Sequence, residues 1–400
     1  MRNFSLIALA RAIVIACQFV NIKLFTNYLT ASQIGLYFFF LTISYFCNAL
    51  IFIPVDYYQQ ANLKKTIDDT GGIFPLLTFN LMLIGYFFIA LIPIVVIVLL
   101  TASQFLSHVI LAATLAVALY ATQALRNTLN NLDYKAAVSF NFVQEAVLKI
   151  ITFILLVKYF EPNELLLMIS WLVALIVSVI TLFINAKKNR LFVCVKKQPV
   201  QAKEVFNFAY PITVGAIANW IQTQGYRLIL VPLGYVEILG IFATVTSIGS
   251  AGMGAVSTIF SQAFSPKIYK SGGGYTGEYL KNALATIAVI ILGCLIFGHL
   301  IVKIATNHKY EPYWGILIIG VLIEAGNFLI GAFSIHVSLV GRTKQMMMSS
   351  FWGVLILFLS FALIYMASTI NVFSIGIPLV LAQLAVLIFI YRSYLKCKSV

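Results

Sequence analysis

Runs of about 20 apolar residues recur along the whole chain, and this constrains the fold more than any other feature. Residues 75–100, PLLTFNLMLIGYFFIALIPIVVIVLL, are typical. A helix rising 1.5 Å per residue needs about 20 such residues to cross the hydrocarbon core of a bilayer. In lipid every backbone N–H and C=O must be satisfied internally, so a spanning segment is a helix or part of a closed barrel. Barrel strands alternate apolar and polar residues over about ten positions, and no such alternation occurs here. The expected fold is therefore an all-α polytopic membrane protein. Apolar residues make up 62% of its 400 positions and charged residues only 10%. Twelve spans are expected, at about 4–26, 34–54, 75–100, 106–130, 137–157, 164–184, 207–232, 237–262, 281–303, 314–336, 346–367 and 371–394. The first is read as an uncleaved helix, because Arg11 interrupts the apolar run that a signal peptide would need.

The formal net charge of +14 would suggest nucleic acid in a soluble protein, but topology accounts for most of it. With the N-terminus inside, the even-numbered loops and both tails are cytoplasmic. They hold 19 of the 26 Lys and Arg, among them Lys64, Lys65, Arg126, Lys135, Lys187, Lys188, Lys196 and Lys197. The other side holds Lys158, Lys303 and Lys309. Such an excess fixes orientation, so both termini are expected in the cytoplasm and no nucleic-acid partner is expected. The outer loops are short and leave no room for an external domain.

Four cations remain inside the apolar segments: Arg11, Lys23, Lys149 and Arg227. A charge at the bilayer centre costs about 2.5–3.5 kcal/mol even on insertion scales, so these residues need a cavity or a partner. Glu145 and Glu324 are the acids read at comparable depth. The buried charge thus leans positive and points to an anionic passenger. Asn141, Glu145 and Lys149, at spacings of four, share one helix face. Glu145 and Lys149 form either a self-neutralising pair that lets the helix insert, or a cavity-facing pair that opens when substrate or a proton arrives. Arg11 and Gln18 lie nearly on one face of the first segment. Lys23 and Arg227, near the outer ends of their segments, either snorkel to the interface or face the cavity. Asn219 and Gln222 precede Arg227. Gly320, Glu324, Asn327, Gly331, Ser334 and Ser338 make one small-and-polar stripe, in which Gly320 and Gly331 are expected to pack helices and Glu324 to pair with a cation or carry a proton. In the 237–262 segment, Gly249, Ser250, Gly252, Gly254, Ser257 and Ser261 read as a packing face. The candidate cavity residues are therefore Arg11, Gln18, Lys23, Lys149, Asn219, Gln222, Arg227 and Asn327, with Glu145 and Glu324 as ion-pair or coupling groups.

The basic stretch at 185–205 divides the chain almost in half, and the halves resemble each other. Lys23-Leu24 of KLFTNYLTASQIGLY (23–37) matches Arg227-Leu228 of RLILVPLGYVEILGIF (227–242). After one inserted residue, Ile34-Gly35-Leu36-Tyr37 matches Leu239-Gly240-Ile241-Phe242. Six spans per half make a parallel repeat, a common transporter architecture. The expected lobes are 1–195 and 196–400.

Enzymatic and cofactor signatures do not occur. The four histidines (His108, His299, His308, His336) have no metal-ligand spacing. Cys17, Cys47, Cys194, Cys294 and Cys397 form no CxxC pair, and no GxxxxGK[ST], HExxH or GxSxG motif is present. The expectation is a protein that is not an enzyme and takes no cofactor or metal.

The run VFNFAYPITVGAIANWIQTQGYRLILVPLGYVEILGIFATVTSI, together with KLFTNYLTASQIGLYFFF, resembles the openings of the two halves of Wzx-type O-antigen and polysaccharide flippases, within the multidrug/oligosaccharidyl-lipid/polysaccharide (MOP) exporter superfamily. The resemblance implies two six-helix lobes in a MATE-like V around a central cationic cavity. It implies alternating-access movement of undecaprenyl-diphosphate-linked oligosaccharide across the bacterial inner membrane, in polysaccharide and lipopolysaccharide biosynthesis. Implied partners are that glycan lipid, the bilayer, and the polymerase and chain-length proteins of the same pathway. Arg227 is the residue that the match carries over most directly. Three rivals compete. A drug or cation antiporter of the same superfamily calls for buried acids where Arg11 and Lys23 stand. A glycan polymerase or ligase calls for a large external loop. A major-facilitator transporter calls for an acidic-basic signature that DYYQQANLKKTIDDTGG lacks.

Overall fold

A computed structural model describes residues 2–192, 200–340 and 342–398; of these, the side chains of 2–6, 211, 212, 262, 263, 266, 338, 343, 397 and 398 are not described. The expected features at Cys194, Lys196, Lys197 and the 195/196 boundary, and the side chains of Ser338 and Cys397, lie outside the described residues. Among the described residues every regular element is helical: α1 (Arg2–Tyr28), α2 (Ala31–Cys47), a π turn (Asn48–Phe52), α3 (Ile53–Thr70), α4 (Phe74–Thr101), α5 (Leu106–Asn131), α6 (Lys135–Tyr159), α7 (Glu164–Lys188), α8 (Ala202–Leu230), α9 (Val236–Lys270), α10 (Thr276–Ala305), α11 (Ile316–Leu339), α12 (Thr343–Met366) and α13 (Gly376–Lys398), with short 3₁₀ turns at Ser103–Phe105 and His308–Tyr313. Eleven segments among the described residues are long and apolar enough to cross a membrane; α8 is not among them. The chain is a multi-pass, all-α membrane protein. On α4 and α10, rows such as Leu81, Ile89, Ile92, Leu292, Ile296 and Leu300 stand exposed, as suits faces turned to lipid.

The largest departure from expectation is at residues 55–70, read from sequence as loop. They form α3, which continues α2 through the π turn. A proline inside a helix lacks a donor and collides with the carbonyl four residues back. Here Pro54 follows the wide π turn and sits in the first turn of α3, where those penalties are relieved. Asn48 anchors the turn by donating to the carbonyls of Ser44 and Ala116, each at 3.1 Å. The helix ends at Gly71, whose φ of 82° favours glycine.

The chain divides into two compact units, residues 1–17 with 40–217 and residues 18–39 with 218–400. Their bounds differ from halves cut at 195/196: residues 18–39 go with the second unit and 200–217 with the first. In the first unit, Phe52, Phe87, Ala113, Ala116, Tyr120 and Ala124 form an apolar core, with Phe52 stacked on Tyr120 at 4.6 Å. In the second, Phe333, Val337, Ile390 and Tyr394 form another. There α9 and α11 approach so closely that a Cβ on Gly249 would collide with the Leu317 carbonyl, and one on Gly320 with that of Thr246. The packing role expected of Gly320 is thus realised. Gly331 and Gly252 face open space, so the packing expected of them is not.

The repeat is visible in the packing. Gly35 and Gly240, matched in sequence, lie in one reciprocal contact within the second unit. A Cβ on Gly35 would strike the Val236 carbonyl, and one on Gly240 the carbonyl of Ala31. Ala31 and Val236 are themselves equivalent under the same offset, so the contact is two-fold in form. The register also recurs deeper in each unit. Ser44 donates to the Ala112 carbonyl at 2.7 Å, 68 residues away, and its equivalent Gly249 abuts the carbonyl of Leu317, again 68 residues away.

Candidate functional site

The α6 face predicted from spacing does form, but its carboxylate turns to another helix. Glu145 Oε2 lies 2.6 Å from Arg126 Nη2 on α5, with both side chains largely buried. Its other oxygen accepts the Trp171 indole N–H from α7 at 2.9 Å. Arg126 Nε donates to Asn141 Oδ1 at 2.7 Å, and Asn141 donates to the Ser178 carbonyl at 3.1 Å. The ion pair of Glu145 with Arg126 therefore joins α5 to α6, a partner that spacing along α6 did not point to. Lys149 Nζ stands 4.3 Å over the Trp171 ring. The Arg11 and Arg126 guanidiniums both lie over the ring of Phe142, at 4.3 and 4.0 Å.

A cation–π contact returns about 0.5–2 kcal/mol. Three cations, Arg11, Arg126 and Lys149, gather around the rings of Phe142 and Trp171 with the carboxylate of Glu145, which pairs with Arg126.

Arg126 was assigned from sequence to a cytoplasmic loop. The structure corrects this: it belongs to α5 and joins the cluster. Its place inside the 106–130 apolar run was the signal available; the count of positive-inside charges absorbed it.

The remaining candidates lie in the second unit and hold separate local positions. Lys23 donates to the carbonyl of Lys303, at 3.3 Å, and to that of Thr306, capping the C-terminal end of α10, where a cation is favoured. Gln222, buried, donates to the Ser350 carbonyl on α12 at 2.7 Å. Arg227, also buried, donates to the Tyr226 hydroxyl at 3.1 Å and lies 5.0 Å over the ring of Phe38. Gln18 and Asn219 are exposed. Glu324 accepts a 3.3 Å hydrogen bond from Asn327 and rests beside Gly254; among the described residues it forms no ion pair.

A third acid at depth was missed because α3 was read as loop. Asp56 is 4% exposed, and its Oδ2 accepts from Gln60 at 2.8 Å and Asn127 at 2.7 Å. Beside it, Gln59 bonds to Asn80, whose Oδ1 also takes the Tyr120 hydroxyl at 2.6 Å. A polar cavity of about 440 Å³ opens further along α3, lined by Tyr58, Asn62, Lys65, Asp69, Gln201 and Glu204 among others. Among the described residues no group of three His, Cys, Asp or Glu side chains is placed to hold a metal ion.

No family model matches the sequence, and no curated protein matches it. Solved structures do match its fold. One set shows a multidrug resistance MATE family transporter of the MOP superfamily. Its outward-facing form has a TM-score of 0.62 at 12% identity, covering 99% of this chain and 96% of that one. Its inward-facing form scores 0.64 at 11% identity, covering 99% and 95%. The chain has the MATE fold. A third neighbour, at 0.56 and 13% identity over 99% and 95% of the two chains, is a MOP superfamily transporter from Pyrococcus furiosus Vc1, reported with a reverse polarity of its binding pocket that suggests a different function.

Proposed function

We propose that this chain is a MOP-superfamily transporter that moves undecaprenyl-diphosphate-linked oligosaccharide across the bacterial inner membrane by alternating access. The observation that carries this reading is the net-positive cluster of Arg11, Arg126 and Lys149 around Phe142, Glu145 and Trp171. A diphosphate presents the negative charge and the acceptor oxygens that guanidinium groups hold through paired hydrogen bonds. The cavity along α3 supports the glycan part, since Tyr58, Asn62, Asp69 and Gln201 mix an aromatic face with donors and acceptors suited to hydroxyl groups.

The second reading is a multidrug or cation antiporter. Asp56 and Glu324 favour it, as do the neighbours described as multidrug resistance transporters. The charge of the cluster stands against it, because a cationic drug would meet like charge. A neighbour of the same fold is likewise reported with a reverse polarity of its binding pocket that suggests a different function. Complementation separates the readings. The gene is placed in a bacterial strain lacking its own flippase, and surface glycan is analysed chemically, while a pump-deficient strain is tested for drug resistance. Restored glycan without drug resistance supports the flippase; resistance without glycan overturns it.

A further inference from the structure

Arg126 is the cation of the cluster best furnished to grip an anion, yet one edge of its guanidinium is occupied. Glu145 sits on Nη2 at 2.6 Å and Asn141 on Nε at 2.7 Å. The carboxylate is held in turn by the Trp171 indole at 2.9 Å. Arg11 lies over the same Phe142 ring as Arg126, so an anion seated on Arg126 would feel the charge of both cations.

We propose that Glu145 is a resident counter-anion of this site: it occupies Arg126 in the empty protein, and a diphosphate displaces it to bind Arg126 and Arg11 together. The inference rests on the reading of the passenger as a lipid-linked diphosphate and adds how that passenger is admitted. Two features favour displacement over a fixed structural pair. The released carboxylate keeps a partner, because its other oxygen already accepts from Trp171, and the positive charge of Lys149, on the same face of α6, remains beside that indole at 4.3 Å from its ring. Releasing Glu145 therefore does not strand an unpaired buried charge, which is the outcome that makes most buried pairs costly to open. Secondly, a resident carboxylate lowers affinity for the incoming anion, and a transporter needs that in order to let its passenger go. Weak anions would not displace it, so the pair also selects for multiply charged headgroups.

The test uses the full-length protein in phosphatidylcholine nanodiscs with farnesyl diphosphate as the probe. Glu145→Gln should bind the probe about tenfold more tightly than the unmodified chain, and Arg126→Gln about tenfold more weakly, within the coupling range for residues in contact. In an Arg126→Gln background the effect of Glu145→Gln should vanish. Because Trp171 holds the carboxylate, binding should also shift tryptophan emission, and Trp171→Phe should abolish the shift; this readout needs no change at Glu145. Inorganic pyrophosphate and phosphatidylglycerol are added as competitors. Competition by pyrophosphate assigns the site to the diphosphate itself, and its absence assigns it to the lipid-linked form. Displacement of the probe by phosphatidylglycerol overturns the selectivity argument. If the unmodified chain binds the probe and Glu145→Gln binds it no more tightly, the counter-anion role is refuted alone. If the unmodified chain binds no probe, the reading of the passenger falls with it.

Discussion

The reciprocal glycine contact gives a sharp prediction about stability. At Gly35 and Gly240 an added Cβ would overlap a backbone carbonyl oxygen, that of Val236 or Ala31, and neither carbonyl can rotate away as a side chain would. Overpacking of this kind costs about 1–3 kcal/mol. Alanine also gains up to about 1 kcal/mol of helix propensity over glycine, which offsets part of the cost. Gly35→Ala should therefore destabilise by about 1–2 kcal/mol. Gly331, on α11, has nothing within 4 Å of its Cβ position, so Gly331→Ala should be neutral or stabilising by up to about 1 kcal/mol. The double variant Gly35→Ala/Gly240→Ala is the stronger test. One alanine forces α2 and α9 apart, and that separation also relieves the clash at the equivalent position. The double variant should thus cost clearly less than the two singles together, a non-additivity of about 0.5 kcal/mol or more for residues sharing one contact. Reversible unfolding in mixed micelles, followed by circular dichroism, measures all four variants. Equal stability of Gly35→Ala and Gly331→Ala would refute the close approach, and strict additivity would refute the shared two-fold contact.

Other expectations follow from single contacts. Arg126→Leu removes the partner of Glu145 but leaves Trp171 and Lys149, so it should cost less than the roughly 3–5 kcal/mol typical of breaking a buried pair, and Arg126→Leu/Glu145→Leu should recover most of the loss in the same unfolding assay. Lys23→Met should lower stability by about 0.3–1 kcal/mol, the value of a cation at a helix C-terminus, and leave substrate affinity unchanged; a loss of affinity would place Lys23 in the binding site. Asn48→Leu should destabilise by about 1–3 kcal/mol, because the Ala116 and Ser44 carbonyls lose their shared donor; no effect would show that the π turn does not depend on it.

Much of the fold was legible because the apolar segments and their punctuation are strong signals. The shared face of Asn141, Glu145 and Lys149 followed from helical spacing alone. The Gly35 and Gly240 match, short as it is, marked the point where the repeat makes its closest contact. What was not legible depended on contacts distant in sequence. The Arg126 partner of Glu145 lies 19 residues back on another helix, beyond the reach of i,i+4 spacing. Lys23 reaches carbonyls about 280 residues away, which no local pattern reports. The α3 helix was hidden by its own polarity: Asp56, Gln59 and Gln60 read as a solvated loop, although Asp56 and Gln59 are buried in a hydrogen-bonded network. The π turn that accommodates Pro54 has no sequence signature.

We propose that the cationic cluster selects an anionic, lipid-linked passenger. The most direct test is transport by the purified protein in proteoliposomes, comparing a fluorescent undecaprenyl-diphosphate-linked glycan with a cationic dye. The glycan lipid is expected to cross, Arg11→Ala and Arg126→Ala each to abolish its crossing while still inserting, and the dye to stay where it was. Transport of the dye, with the glycan lipid left in its original leaflet, would contradict the proposal.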